Sequence, residues 1–302
     1  MSQSIDIVHR DDGGWAVLTA QWTRILRSFR KQRSALLGFG LLAVAVLAAV
    51  LAPVLAPMDP AAQSLDRNLL PPLSVSDGRM FLMGTDHLGR DILSRVIFSA
   101  RVSLTVGFLS VFFSGAIGLT VGLVSGYYGG RVDFFLMRLV DLVLSFPFIL
   151  LALATIAILG SSMLLIIAVI SLRIWVVFAR VVRGTVLSIR EREFVQAARA
   201  LGAHDLRLIL LHILPNVLSP CIIIGSLYLG RMIIIESGLS FLGLGVPPPA
   251  PSWGGMLSEG RNHIYSSWWV VTFPGLSIML TVLGSNLLGD WMRNVMDPRL
   301  RD

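Results

Sequence analysis

Long apolar stretches alternate with shorter polar ones along most of this 302-residue chain. Six apolar stretches reach the length of about 20 residues that a helix needs to cross a bilayer. They cover residues 34–56, 103–125, 134–158, 163–182, 216–239 and 268–288. Pro147 lies inside the third stretch and is expected to kink it. The pattern predicts an all-α, polytopic membrane protein with six transmembrane helices in residues 34–302, behind a polar N-terminal tail in residues 1–33.

Basic residues are concentrated in some of the polar segments, and this bias predicts the side of the membrane that each segment occupies. The cluster before the first span consists of Arg24, Arg27, Arg30, Lys31 and Arg33. Further arginines lie between the fourth and fifth spans, so residues 186–215 are predicted to form a cytoplasmic loop. Residues 58–95 and 241–267 are then external segments, and both termini are cytoplasmic. Residues 15–29 of the tail are expected to form an interfacial helix.

Short-range signals refine two of these regions. Residues 84–91 are rich in turn residues, and Asp86 and Asp91 are typical of residues that cap a loop or a helix N-terminus. Small residues recur four apart on one face of the second span; they are Ser110, Ser114, Gly118, Gly122 and Gly126. Small residues at this spacing let two helix backbones approach closely in lipid, so we expect a helix-packing face here.

The composition supports a membrane protein and excludes several functional classes. Hydrophobic residues make up 55% of the chain, charged residues 14%, and the mean hydropathy is +0.76, whereas about 25% of a soluble domain is charged. Basic residues flank the spans, so membrane topology explains the net charge of +7 and no nucleic-acid partner is expected. The single cysteine, Cys221, excludes an internal disulfide. The only lysine, Lys31, has no glycine-rich phosphate loop beside it, so the chain is not a P-loop ATPase.

The longest charged segment between two apolar stretches covers residues 191–220. Four of its residues recur at the spacing of one helix face and predict a first helix: Phe194, Ala197, Ala198 and Leu201. Gly202 follows as the turn residue that is usual just past a helix end. A second short helix, at about residues 203–211, carries on its apolar face Leu206, Ile209, Leu210 and Ile213. Pro215 closes this segment and suits the first turn of the fifth span.

Several motifs resemble those of a known family. Gln196-Ala197-Ala198, Gly202 and Leu214-Pro215 resemble the EAA loop of ABC importer permeases. Residues 84–91, residues 236–245 and the C-terminal tail after residue 288 are similar to further signatures of the dipeptide, oligopeptide and nickel branch of that family. The chain thus resembles the second, C-type permease subunit of dipeptide transporters. The resemblance implies the type I ABC importer permease fold.

In that family the EAA loop joins the permease to its ATP-hydrolysing subunit through a short coupling helix. The resemblance implies this coupling role for Glu193, Gln196, Ala197, Ala198, Gly202, Ala203, His204, Asp205, Leu206, Leu214 and Pro215. Two positions depart from the family pattern, because Gln196 stands where glutamate is usual and His212 stands where isoleucine is usual. Glutamine keeps the hydrogen-bonding reach but loses the charge, and Glu193, one turn earlier, is the candidate to supply it.

The resemblance also implies a function and partners. The chain is expected to translocate dipeptides or short oligopeptides across the bacterial cytoplasmic membrane, with nickel, glutathione or another small solute as alternatives and an ion channel as a remote one. The implied partners are a homologous second permease, two ATP-binding subunits, an extracytoplasmic solute-binding protein and membrane lipid. No catalytic residue, metal site or cofactor is expected in this chain, because ATP and magnesium are used by the partner subunits.

Two arginines lie near the middle of predicted spans, Arg173 in the fourth and Arg231 in the fifth. A central arginine costs about 2.5–3.5 kcal/mol on insertion scales, so each should face protein or water rather than lipid. One hypothesis places both, together with Glu236, on the substrate pathway, where the arginines attract a peptide carboxylate. The alternative is structural pairing with Glu236, Asp141 or a partner subunit. Arg231 and Glu236 lie about 140° apart around a helix, which disfavours their direct pairing.

Overall fold

The computed structural model describes residues 28–30 and 32–296, and long helices dominate these residues. Most of the tail in residues 1–33 lies outside the described residues, and so does nearly all of the interfacial helix expected at residues 15–29. Lys31 and the C-terminal residues after 296 lie outside them as well.

The helices and strands follow in this order along the chain. The first part contains α1 (Arg33–Val50), α2 (Ala52–Leu55), β1 (Ser74–Ser76), β2 (Arg79–Phe81) and α3 (Ile92–Tyr128). The middle part contains α4 (Gly130–Ser145), α5 (Phe148–Leu159), α6 (Met163–Ile189), α7 (Glu193–Ala200) and α8 (Asp205–Arg207). A π-helix (Leu208–Ile213) leads into α9 (Leu214–Phe241), which is followed by α10 (Trp253–Gly260) and α11 (Trp269–Met296). Short 3₁₀ turns occupy Leu65–Arg67 and Arg261–His263.

The predicted spans correspond to helices of the structure. Within the described residues, five helical segments are long and apolar enough to cross a membrane, and the bent pair α4–α5 makes six if it counts as one span. This agrees with the prediction of a six-span, all-α protein. The bend of 83° between α4 and α5 is larger than the expected kink. It falls at Phe146 and Pro147 because proline has no N–H to donate and its ring clashes with the preceding turn.

Several helices extend beyond the spans predicted from hydropathy. The second span was expected to begin at residue 103, but α3 begins at Ile92, where the Asp91 side chain accepts a hydrogen bond from the Ser94 N–H at 2.8 Å. The fourth was expected to end at residue 182, but α6 ends at Ile189. Hydropathy marks only the apolar part of a helix, so polar turns at its ends are missed. The hairpin β1–β2 was not expected either; Asp77 and Gly78 form its turn with φ of 51° and 71°.

The bundle has two ends, each of which gathers a different set of loops. α3 and α6 terminate at the same end of the bundle, where Arg190, just past α6, donates to the Gly126 carbonyl of α3 at 2.9 Å. We call this the coupling end, after the loop that is expected to contact the ATPase. We call the other the loop end. There the Trp269 indole N–H, at the start of α11, donates to the Thr85 carbonyl at 3.1 Å. The charged segment 191–213 lies at the coupling end, and the hairpin and α10 lie at the loop end.

The small residues of the second span form the contact between α3 and α6. All five of them are buried, and the Ser114 hydroxyl donates to the Ser171 carbonyl of α6 at 3.3 Å. A Cβ atom added at Gly122 would lie 2.6 Å from the Val182 Cβ, and one added at Gly126 would lie 2.7 Å from the Val186 Cβ. The two backbones therefore approach closely along much of their length, which confirms the predicted packing face.

We expect the substitution Gly122→Ala to lower the thermal unfolding temperature of the purified protein. The added methyl group overpacks the contact with Val182, an effect that costs about 1–3 kcal/mol. Gly40→Ala is the matched control, because a Cβ atom at Gly40 of α1 meets nothing within 4 Å. Thermal unfolding of both variants in the same detergent provides the comparison. Equal unfolding temperatures would show that the α3–α6 contact is not tight.

Candidate functional site

A pocket of about 450 Å³ brings the two intramembrane arginines together. Arg173 lies midway along α6 and Arg231 lies beyond the middle of α9, and both line this pocket with the Tyr228 side chain. The break between α4 and α5 forms the remaining wall, through residues 147–149. We call this space the central pocket. Pro147 itself lines the pocket, at the bend between α4 and α5.

The guanidinium groups in the central pocket are not neutralised by carboxylates of this chain. Among the residues that the structure describes, neither Arg173 nor Arg231 forms an ion pair. Arg231 is exposed and lies over the Tyr228 ring, 5.4 Å from its centroid. Asp141, the proposed structural partner, pairs instead with Arg180 at 2.8 Å. Two unneutralised cations in a membrane-spanning bundle mark a place for water or for an anionic group.

Glu236 is not part of the central pocket. Its side chain is fully buried and accepts hydrogen bonds from the hydroxyls of Ser240 at 2.7 Å and of Ser103 at 3.4 Å. Ser240 lies one turn further along α9, whereas Ser103 belongs to α3. The Ser252 hydroxyl, which caps α10, lies 3.5 Å from that of Ser240. Glu236 therefore joins three elements near the loop end, and the structure does not bring it to Arg173 or Arg231.

A second space, of about 830 Å³, opens between α4 and α6 on the coupling-end side of the central pocket. We call it the basic cleft. Five charged side chains line it: Asp133, Arg138, Asp141, Arg180 and Arg183. Arg138 and Asp141 lie three residues apart on α4, and their nearest nitrogen and oxygen atoms are 3.9 Å apart. Arg180 was not predicted as a site residue, although the spacing of seven residues from Arg173 placed both on one helix face.

The charged segment at the coupling end has the predicted order of helix, glycine turn and helix. Gly202 has φ of +83°, a conformation that favours glycine. The second helix differs from the prediction for residues 203–211, since α8 spans only Asp205–Arg207 and the π-helix Leu208–Ile213 continues it into α9. The π-helix closes hydrogen bonds over five residues instead of four and is frequent at functional sites. We call residues 193–213 the coupling segment.

The coupling segment exposes some of the residues on its predicted helix faces and buries others. Leu201 is 89% exposed and Leu206 is 60% exposed, whereas Val195 and Leu208 are fully buried. Phe194 and Leu210 are exposed as well. Of the other predicted face residues, Ile213 is fully buried, and Ala198 and Ile209 pack against the buried cluster at this end of the bundle. Contiguous patches of exposed apolar side chains are typical of surfaces that contact another protein.

Hydrogen bonds tie the coupling segment to the ends of α3 and α6. The Tyr127 hydroxyl of α3 donates to the Asp205 carboxylate at 2.6 Å. The Gln196 amide donates to the Arg190 carbonyl at 3.1 Å, so this side chain is used within the chain. His204 caps α8 by accepting from the Arg207 N–H at 3.2 Å. The coupling segment is therefore hydrogen-bonded to the ends of two long helices.

An ion cluster joins the turn-rich run to α10 at the loop end. Arg90 contacts Asp86 at 2.7 Å and Glu259 of α10 at 2.5 Å. Arg95 contacts the same two carboxylates, Glu259 at 2.8 Å. Burial alone would raise the pKa of Asp86, but Arg95, Arg90 and two backbone N–H groups outweigh burial and lower it. Burial would also raise the pKa of Glu259, but the hydrogen bond and the charge of Arg95 outweigh this effect and lower the pKa.

The same cluster contains ligand atoms at metal-like spacing. Atoms of Asp86, His87 and Glu259 lie within 4.8 Å of one another, and the His87 ring stacks on His263 at 5.7 Å. Arg90 and Arg95 contact both carboxylates, however, and their two positive charges already balance them. A divalent cation would have to displace these guanidinium groups and remain beside them. The donor set therefore does not suit a metal ion.

We expect the substitution Asp86→Asn to destabilise the protein by about 3 kcal/mol, the lower end of the range for removing one partner from a buried ion pair. Glu259 still contacts both arginines, which limits the loss. Because the folded pKa of Asp86 lies below its usual value of 3.8, the stability that it contributes is present above pH 4 and lost as the pH falls through the folded value. Thermal unfolding at pH 7 and pH 3 measures both effects.

The matched control is Asp77→Asn, which removes an exposed pair with Arg67 and should change stability by at most about 1 kcal/mol. If Asp86→Asn is no more destabilising than this control at pH 7, the ion cluster does not stabilise the loop end.

Comparisons with known proteins agree with this architecture. Residues 118–302 match the family model described as binding-protein-dependent transport system inner membrane component. Residues 20–72 match the model described as the N-terminal TM domain of oligopeptide transport permease C. The first of these models covers more than half of the chain.

Relatives and solved structures are similar along most of their length. The di/tripeptide transport system permease protein DppC of Pseudomonas aeruginosa is 41% identical over 280 residues, 91% of each chain. The dipeptide transport system permease protein DppC of Escherichia coli K12 is 44% identical over 277 residues, 90% of this chain and 91% of that one. A chain of the inward-facing MetNI methionine ABC transporter aligns with a TM-score of 0.54 at 22% identity, over 67% of this chain and 96% of that chain.

The structural match shows the fold alone, and it confirms the predicted importer-permease fold. The family match and the long relatives go further, because the family model covers residues 118–302, which include the coupling segment, and the two relatives align with 91% and 90% of the chain. The chain belongs to the family of binding-protein-dependent transport system inner membrane components, and it is the membrane-spanning permease of such a system rather than its ATPase.

Proposed function

We propose that this chain is one permease subunit of an ATP-driven importer that translocates dipeptides or short oligopeptides across the cytoplasmic membrane. The single observation that carries the peptide assignment is the central pocket, which presents Arg173 and Arg231 without carboxylate partners among the described residues. A free peptide has a carboxylate at one end, which arginine binds through two parallel hydrogen bonds. The names of the relatives in P. aeruginosa and E. coli support the same substrate class.

The central pocket also ranks the alternative substrates. Two guanidinium groups repel a bare nickel ion, so the pocket argues against that cargo. Glutathione is an anionic peptide with two carboxylates, and it is the second candidate because the same arginines suit it. The volume of about 450 Å³ falls within the range of pockets for small ligands, which fits a short peptide.

The coupling segment supports the remaining parts of the proposal. Its exposed residues Phe194, Leu201, Leu206 and Leu210 form an apolar surface that suits the groove of an ATP-binding subunit. Glu193 and Gln196 lie beside this surface; we assign the charge contact with that subunit to Glu193, since Gln196 is held by Arg190. The other coupling residues, Ala197, Ala198, Gly202, Ala203, His204, Asp205, Leu214 and Pro215, shape or anchor the segment.

The proposed complex contains this chain, a homologous second permease, two ATP-binding subunits that use ATP and magnesium, and a solute-binding protein. The basic coupling end faces the cytoplasm, with both termini, and the loop end faces outward, where the solute-binding protein delivers the peptide. ATP binding moves the coupling segments, and the pathway between the two permeases opens alternately to each side.

Uptake in cells that lack this chain tests the proposal. Labelled dipeptide, longer peptide, glutathione and nickel are supplied in parallel to these cells and to cells in which the chain is restored. We expect loss of dipeptide or short-peptide uptake and its return with the restored chain. Loss of nickel uptake alone would keep the permease assignment and overturn the peptide assignment, and loss of glutathione uptake alone would favour the second candidate.

A further inference from the structure

The central pocket and the basic cleft follow one another along the same face of α6. Arg173, Val177 and Arg180 are spaced by four and three residues, so they share that face. The first two line the central pocket and the third lines the basic cleft. Seven residues of helix separate the two arginines by about 10 Å.

The opposite walls of the two spaces are continuous as well. Residues 130–141 of α4 line the basic cleft, and the break at residues 147–149, directly after α4, lines the central pocket. The basic cleft therefore lies beside the central pocket in the direction of the coupling end, and Arg180 is the nearer of its two α6 arginines.

The two ion pairs in the basic cleft differ in how firmly they are held. Asp133 accepts from Nε and Nη2 of Arg183, each at 2.5 Å, and also from the Ser125 hydroxyl, so this pair is fixed between α4, α6 and α3. Arg180 has one contact with Asp141, at 2.8 Å, and the two side chains are 52% and 51% exposed. An exposed pair with a single contact contributes little stability and exchanges partners easily.

The charges of the cleft favour an incoming anion. Three arginines and two aspartates line it, which leaves one excess positive charge. Arg138 carries the excess, since its nearest approach to Asp141 is 3.9 Å. If another carboxylate forms an ion pair with Arg180, Asp141 can pair with Arg138 instead, and no charge in the cleft is left without a partner.

We propose that Arg180 is a second carboxylate-binding position on the pathway. The C-terminal carboxylate of the peptide leaves Arg173 and Arg231 and displaces Asp141 from Arg180. It is then released at the coupling end. Asp141 keeps Arg180 in place while the cleft is empty and pairs with Arg138 while it is occupied. This inference rests on the proposed function, because it needs the peptide carboxylate that the central pocket binds.

The test compares two peptides in the complete importer reconstituted in vesicles with its solute-binding protein. One is a dipeptide with a free carboxyl terminus and the other is the same dipeptide with a C-terminal amide, each supplied well above its Kd for the binding protein. The measured quantity is the ratio of their maximal uptake rates. Any preference of the binding protein is the same in every variant, so a change in the ratio reports on the permease.

We expect Arg180→Gln to lower this ratio by about ten-fold, the effect of losing one hydrogen bond to a charged group. Arg180→Lys keeps the charge and should restore part of the ratio. Arg79→Gln removes an exposed arginine from the hairpin and should leave the ratio unchanged. An equal fall for both peptides in Arg180→Gln would show that the pair with Asp141 is only structural and would overturn the inference, as would no change at all.

Variants of the central pocket separate this inference from the proposed function. If Arg173→Gln and Arg231→Gln lower the ratio of uptake rates while Arg180→Gln leaves it unchanged, the second position alone is overturned. If Arg180→Gln lowers the ratio while the central variants leave it unchanged, Arg180 binds the carboxylate but does not receive it from Arg173 and Arg231, so both the central carboxylate site and the proposed transfer are overturned.

Discussion

Uptake of a dipeptide with a free carboxyl terminus is expected to fall by about ten-fold or more when Arg231 is replaced by glutamine. Arg231 is exposed in the central pocket, packs over Tyr228 and forms no ion pair with a described residue, so its charge is available to a substrate. A hydrogen bond to a charged group contributes about 1.5–3 kcal/mol, which corresponds to a factor of ten to a hundred. Arg173→Gln should act in the same direction.

The amount of assembled complex should not change in these variants. Glutamine is shorter than arginine but stays polar, and it removes a charge from the membrane interior, which favours insertion. Co-purification of the ATPase therefore serves as the assembly control, and Arg79→Gln serves as the control for charge. Unchanged uptake in the double variant, with normal assembly, would exclude a pathway role for both arginines.

Binding of the ATPase is expected to be lost when Leu206 is replaced by aspartate. Leu206 is 60% exposed and lies beside the exposed Leu210 on the coupling segment, so the substitution disturbs no packing within this chain. Burial of a leucine against a partner contributes about 1.5–3 kcal/mol, and an unpaired carboxylate in the same place costs several more. Co-purified ATPase should therefore decrease by at least about ten-fold, and uptake should decrease with it.

Leu65→Asp is the matched control for this prediction, because Leu65 is 75% exposed at the loop end. It makes the same chemical change at the other end of the bundle and should leave ATPase binding intact. If Leu206→Asp retains both the ATPase and uptake, the apolar surface of the coupling segment is not the docking surface.

The spans could be predicted from sequence because each depends on a long run of apolar residues. The packing face of α3 was also predictable, since a four-residue repeat of glycine and serine has one structural meaning in lipid. The size of the bend at Pro147 could not be predicted, because proline specifies that a helix is interrupted but the neighbouring helices set the angle.

The sites depended on relations between distant elements, and these were harder to predict. Helix periodicity disfavoured a pair of Arg231 with Glu236, but it gave no means of finding the serines of α3 and α9 that contact Glu236. That Arg173 and Arg231 share a pocket follows from how α6 and α9 pack, which is a tertiary fact. The second short helix was predicted as regular over residues 203–211, but the π-helix at 208–213 breaks the 3.6-residue repeat on which that prediction relied.

The close backbone contact between α3 and α6 also determines which parts of the bundle can move separately. Gly118, Gly122 and Gly126 are seated so closely against α6 that an added Cβ atom would clash, so we expect the two helices to move together as one lever. Tyr127 joins the end of this lever to the coupling segment, and Arg173 lies partway along it. The opposite wall of the central pocket contains the bend at Pro147. We therefore expect a displacement of the coupling segment to change the width of the pocket.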